Sequence, residues 1–271
     1  MRVLLIVVAA LWGAGAGLLV PRAAHRLSVD AGEPWRAECP GGHAITGPFG
    51  GWVGRARCAA ATAKRDRTPA APAASVTREP PAAARHCAAY GPSTPLAATV
   101  TALACAALAA AVGGPRPEAA VWLLVAPVGV LLALVDHRVH RLPDVLTLPL
   151  AAVTATLLGA AALLPAAAGS WPRALLGALV LGACYFVLFL VNPSGMGFGD
   201  VKLALALGAV LGWYGWPVLV VGGFAGLFYG AVYGLGLVVL RRAGRGATMP
   251  LGPFMLGGAF TGVLLGAAAV A

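Results

Sequence analysis

Three aspartates, Asp136, Asp144 and Asp200, stand at the edges of long apolar runs, where a charge is costly and therefore points to function. Asp136 directly follows Leu131-Leu132-Ala133-Leu134-Val135. Asp200 follows Gly195-Met196-Gly197-Phe198-Gly199 and opens another apolar stretch. Two carboxyl groups at one depth on neighbouring helices can share a proton, because like charges in a poorly solvated site cannot both ionise. The ionised partner acts as general base on a water, and the protonated partner polarises a carbonyl. That is the chemistry of aspartic proteolysis. Asp144 could replace Asp136 in the pair, but Pro143-Asp144-Val145-Leu146-Thr147 reads more simply as a helix N-cap or as support for the site. Spacing alone also leaves open a plainer reading, in which Asp136 and Asp200 pair with Arg138, Arg141 or Lys202 at the interface.

The Gly195-x-Gly197-x-Gly199-Asp200 run is not a phosphate loop. It follows an apolar helix rather than a strand, and it lacks both the Gly-x-Gly-x-x-Gly spacing and a Gly-Lys-Ser/Thr ending. Glycines here let backbones, or a substrate strand, approach closely.

The elements that carry these acids follow from composition. The 271 residues are 60% apolar and 10% charged, against about 25% charged in ordinary soluble domains. Mean hydropathy is +0.86. This excludes a soluble globular enzyme and excludes disorder for most of the chain. Long Ala/Leu/Val runs and 7% aromatics argue against an alternating β-barrel. The expectation is an all-α polytopic membrane protein.

Eight apolar runs read as spans: 3–20, 95–113, 119–135, 145–167, 173–191, 201–215, 216–240 and 250–270. The sixth is short, and its boundary with the seventh falls near Tyr214-Gly215-Trp216-Pro217. The net charge of +10 does not call for nucleic acid, since basic residues gather in cytoplasmic loops. Residues 21–94 hold 15 of the 28 charged residues. Ten of these are basic: Arg22, Arg26, Arg36, Arg55, Arg57, Lys64, Arg65, Arg67, Arg78 and Arg85. Placing 21–94 inside and the N-terminus outside puts sixteen basic residues inside, including Arg138, Arg141, Lys202, Arg241, Arg242 and Arg245. Only Arg2, Arg116 and Arg173 fall outside. By this parity Asp136 and Asp200 share the cytoplasmic face. A cleaved signal peptide over 1–20 would instead export the most basic loop, against the positive-inside rule.

The chain thus divides into a first helix (1–20), a polar cytoplasmic segment (21–94) and a membrane domain (95–271). Residues 62–86, rich in Ala, Pro, Thr, Arg and Lys, read as a solvated insertion. Cys39, His43, Cys58 and Cys87 are candidates for a zinc knuckle, but no Cys-x-x-Cys pair exists and the spacing is irregular. Cys105 and Cys184, within apolar spans, read as small packing residues.

These residues together resemble the prepilin peptidases, or type IV leader peptidases, membrane aspartic proteases of the Gly-x-Gly-Asp type. Gly195 to Leu203 resembles the Gly-x-Gly-x-Gly-Asp-(Val/Ile)-Lys-(Leu/Met) signature. Asp136 to Asp144 is similar to the second signature, an Asp followed by a polar stretch and then Leu/Ile-Pro-Asp, here Leu142-Pro143-Asp144. Pro250-Leu251-Gly252-Pro253-Phe254 resembles the family's Pro-Phe-Gly-Pro-Phe element. The resemblance implies cleavage of the short basic leader from type IV prepilins or pseudopilins at the cytoplasmic face of the inner membrane. It implies Asp136 and Asp200 as the catalytic pair and Lys202 as a residue that tunes them or touches substrate.

Gly195, Gly197, Gly199, Pro143, Asp144, Pro250, Gly252 and Pro253 would support the site. Many members also methylate the new N-terminus and carry two Cys-x-x-Cys pairs after the first span. Here Gly42 and Ala61 replace the second cysteine of each pair, with His43 nearby. A methyltransferase, zinc and S-adenosylmethionine are therefore not expected, and the peptidase itself needs no cofactor. The expected partners are prepilin-like substrates and the lipid bilayer. A presenilin-like protease would have Tyr before the first Asp, where this chain has Val135. A proton-coupled transporter would show repeated halves with acids near the midplane, and no repeat is visible.

Overall fold

The computed structural model describes residues 1–30, 32–58, 89–193, 195–240 and 249–271. Cys87, Ala61, Lys64, Arg65, Arg67, Arg78, Arg85, Arg241, Arg242 and Arg245 lie outside the described residues. The described residues form eight long helices: α1 (Arg2–Leu27), α2 (Thr94–Val112), α3 (Pro117–Val139), α4 (Asp144–Ala162), α5 (Trp171–Val191), α6 (Phe198–Tyr214), α7 (Trp216–Val239) and α8 (Gly252–Ala269). A short helical turn, Pro48–Gly51, lies in the polar segment. Within the described residues the one strand-like feature is an isolated bridge between Glu38 and Ala44.

Every expected apolar run is a helix, with three shifts. Helix α1 continues to Leu27 rather than ending near residue 20. Pro21 costs it one backbone donor, and Ser28 closes it by donating its Oγ–H to the Ala24 carbonyl at 2.6 Å. Helix α4 stops at Ala162 rather than 167, because Leu163 and Leu164 fold into turns ahead of Pro165 and Ala166 takes a left-handed φ of 67°.

The third shift concerns α6. Seven helices are long and apolar enough to cross a bilayer, and α6, with 17 residues, is the exception. It is the most enclosed helix, packed against α4, α5, α7 and α8, with Leu203, Ala204, Leu211 and Trp213 almost fully buried. Gly215, at φ 118°, separates it from α7 where the sequence placed that boundary.

The outer faces carry Leu103, Leu179, Phe224 and Leu235, all more than 60% exposed, as a lipid-facing surface requires. Inside, small residues close the helix pairs: a Cβ at Gly258 on α8 would strike the Gly226 backbone on α7. Gly222 and Gly226 of α7 thus let α8 pack closely against it. Cys105 is fully buried as expected, whereas Cys184 is exposed on the outer face of α5.

Candidate active site and relatives

Asp136 lies in the last turn of α3, and its carboxyl is buried. The backbone N–H of Gly252, the first residue of α8, donates to Asp136 Oδ2 at 2.9 Å. Helix α8 packs against both α3 and α6, so it bridges the two acid-bearing helices. A Cβ at position 252 would come within 2.8 Å of the same oxygen, so the approach needs glycine.

Asp200 occupies the third position of α6, also buried. Its Oδ2 accepts the N–H of Gly197 at 3.1 Å, as acidic residues in a first helical turn do. Each acid is thus held by a backbone amide through one oxygen. Gly199, next to Asp200, lies against Leu142 in the loop that follows Asp136, so the two acids sit at the same end of the bundle. Among the described residues neither acid forms a salt bridge, which removes the plain pairing with Arg138, Arg141 or Lys202.

Asp144 and Lys202 pair with each other, at 2.6 Å. Asp144 is the first residue of α4 and Pro143 holds the N-cap position, so the expected N-cap role gives way to a link between α4 and α6. Lys202 reaches Asp144 and lies 4.9 Å above the Phe198 ring, rather than reaching the two buried acids.

Leu142 and Pro143 are buried. A Cβ at Gly199 would lie 2.9 Å from Leu142 Cβ, so the glycine run fits against the loop that follows Asp136. Pro253 sits in the first turn of α8, a position that suits proline, and Pro250 is half-buried just before it. Gly195 is exposed and turns back on Asn192, apart from the acids.

Sequence reasoning missed Tyr185. It is buried on α5, the helix that packs most extensively on α6, which carries Asp200. A lone tyrosine in an otherwise apolar stretch, Ala183 to Val191, was the available signal.

In the polar segment, Cys39 Sγ, His43 Nδ1 and Cys58 Sγ lie within 4.8 Å of one another. The separations are 3.7 Å between the sulfurs, 3.6 Å from Cys39 to His43 and 3.5 Å from Cys58 to His43. Tetrahedral zinc, with Zn–S of about 2.3 Å and Zn–N of about 2.0–2.1 Å, requires about 3.8 Å between sulfurs and about 3.6 Å from sulfur to nitrogen. A cavity of about 20 Å³ borders the three, and Arg22, Arg57 and Tyr90 also line it. Burial opposes ionisation of Cys39, but hydrogen bonds from the His43 backbone and ring, the Gly41 backbone and Cys58 outweigh it and bring its thiol to about 6. The fold therefore seats His43 where a second thiolate was lacking, and the three residues fit zinc.

Residues 122–239 match the type IV leader peptidase family. The matched stretch runs from α3 to α7 and contains both buried aspartates. Over 137 residues the chain is 37% identical to the prepilin leader peptidase/N-methyltransferase of Aeromonas salmonicida (strain A449), covering 49% of this chain and 43% of that protein. It is 35% identical over 127 residues to the protein of the same name from Pseudomonas aeruginosa, covering 46% and 42%. For Burkholderia pseudomallei (strain K96243) the figures are 34% over 182 residues, covering 64% and 55%. The chain spans about half the length of the curated relatives it matches. No solved structure matches it.

Proposed function

We propose that the chain is a membrane-embedded aspartic endopeptidase that removes the basic leader from type IV prepilin or pseudopilin-like precursors. One observation carries the reading: two buried carboxyl groups from helices far apart in sequence lie at one end of the bundle, each fixed by a backbone N–H. The ionised carboxyl takes a proton from water as that water attacks the scissile carbonyl carbon. The protonated partner donates to the carbonyl oxygen. Collapse of the tetrahedral diol returns a proton to the leaving amine and breaks the C–N bond. Gly252 and Gly197 hold one oxygen of each acid still, leaving the other oxygen for reactants. The excess of basic residues in 21–94 and the loops on the same side supports a site that faces the cytoplasm from the inner membrane.

In the polar segment, Cys39, His43 and Cys58 would hold zinc as a structural link that supplies no step of the peptidase reaction. The relatives' names include N-methyltransferase, but the loss of both Cys-x-x-Cys pairs gives no ground for extending that activity to this chain.

The test is co-expression with a prepilin, reading leader removal as a gel shift. Asp136→Asn and Asp200→Asn should each abolish the shift while the protein stays in the membrane. Processing that survives either change refutes the pair.

A further inference from the structure

An apolar groove of about 520 Å³ lies between α2, α3 and α8, with part of α6 as its floor. Leu103, 65% exposed, forms part of its rim. On α3 the lining residues Trp122, Ala126, Gly129 and Ala133 recur at steps of four, three and four, so they share one helix face. The next step of three on that face is Asp136. On α8 the lining begins at Leu256, one turn after Gly252, whose N–H holds Asp136. The groove therefore ends one helical turn from the buried acid on both of its walls.

From Trp122 to Ala133 the wall runs about 16 Å, the length of three helical turns. Every lining residue is apolar, and the one polar side-chain atom among them, Trp122 Nε1, already donates to Tyr214 Oη at 3.0 Å. Ala107, Ala126, Gly129 and Ala133 keep the walls low enough for another backbone to come close.

We propose that this groove seats the first turns of the substrate's hydrophobic stem and so delivers the scissile bond to Asp136. The proposal rests on the endopeptidase reading above. Charge order selects the occupant. The apolar wall ends one helical turn from Asp136, with Asp200 two turns before the α6 floor, which matches a segment whose cationic stretch precedes an apolar one. An anionic lipid would set its headgroup charge against Asp136 and Asp200 and is disfavoured.

The experiment uses the full chain in membranes with a full-length prepilin. A photo-crosslinking residue at Leu103, in the D136N/D200N background that retains uncleaved substrate, should join the rim to the stem residues just after the cleavage point. The same probe at Phe224, exposed on α7, should not. Crosslinks from Leu103 only to lipid or to a second copy overturn the proposal, as do equal substrate crosslinks from Phe224. In parallel, Ala107→Phe should slow processing of the full-length precursor at least tenfold. It should leave cleavage of a water-soluble leader peptide without the stem at the wild-type rate. Equal wild-type rates on both substrates in A107F overturn the groove alone. A wild-type protein that cleaves neither substrate overturns the endopeptidase reading. If A107F fails to reach the membrane, the Leu103 crosslink decides.

Discussion

Gly252 donates its backbone N–H to Asp136 Oδ2 at 2.9 Å across 116 residues of sequence. The first turn of the last helix therefore sets the position of an acid at the end of the third. Gly252→Ala is compatible with helical backbone, but its methyl would press on that oxygen from 2.8 Å. Overpacking of this kind costs about 1–3 kcal/mol. The expected outcome is a fall in kcat of at least fivefold with little change in KM, measured on purified protein with a leader-containing substrate. An unchanged kcat would show that the Gly252 amide does not position the acid.

Tyr185 offers a second check on the site. Its side chain is buried on α5, which packs against the Asp200 helix α6. Tyr185→Phe removes only the hydroxyl, so the packing of α5 on α6 should hold. If the hydroxyl helps hold the shared proton, kcat should drop about tenfold, equivalent to about 1.4 kcal/mol. The pH–rate profile should change shape too, which loss of a merely packed ring would not cause.

The limits of the sequence reading follow from where its signals come from. Apolar runs report burial or lipid contact along one helix, so all eight helices were legible. The extension of α1 to Leu27 was not, because Arg22, His25 and Arg26 looked like the start of a loop. They stay helical because the polar segment folds back on them. Arg22 donates to the Thr46 and Val53 carbonyls at 3.2 Å, and Arg26 donates to the Gly50 carbonyl and stacks 4.1 Å over Trp52. The acidic pair was legible because a charge at the edge of an apolar run has few bland explanations. Tertiary partners leave no local mark, so the Lys202–Asp144 pair could not be read from spacing, and Cys39, His43 and Cys58 could be named as candidate ligands but their irregular spacing did not show that they gather.

The Lys202–Asp144 pair joins α6 to α4, and its exposure sets its worth. Asp144 is 60% exposed, so the pair should contribute no more than about 1 kcal/mol. Lys202→Met and Asp144→Asn should each lower thermal stability slightly and reduce cleavage less than fivefold. The reversed pair, K202D with D144K, should recover most of either loss. Failure of the reversal to recover activity, with stability restored, would return Lys202 to the substrate's path.

Zinc content separates the polar segment from the membrane site. With three ligands set near tetrahedral spacing, protein purified without chelator should carry about one zinc per chain by elemental analysis. Cys39→Ser, His43→Ala and Cys58→Ser should each lower that content several-fold. The cysteines pack with Ile45, Ala56 and Tyr90, and Tyr90 stacks on His25 of α1 with ring centroids 4.8 Å apart. Removing the metal should therefore loosen this lobe and raise its protease sensitivity between residues 36 and 58. Asp136 and Asp200 take their amide hydrogen bonds from Gly252 and Gly197, neither of which belongs to the lobe. Leader cleavage by Cys39→Ser should consequently stay within about threefold of wild type. A collapse of cleavage in that variant, with the protein still in the membrane, would mean that the lobe positions substrate for the two acids.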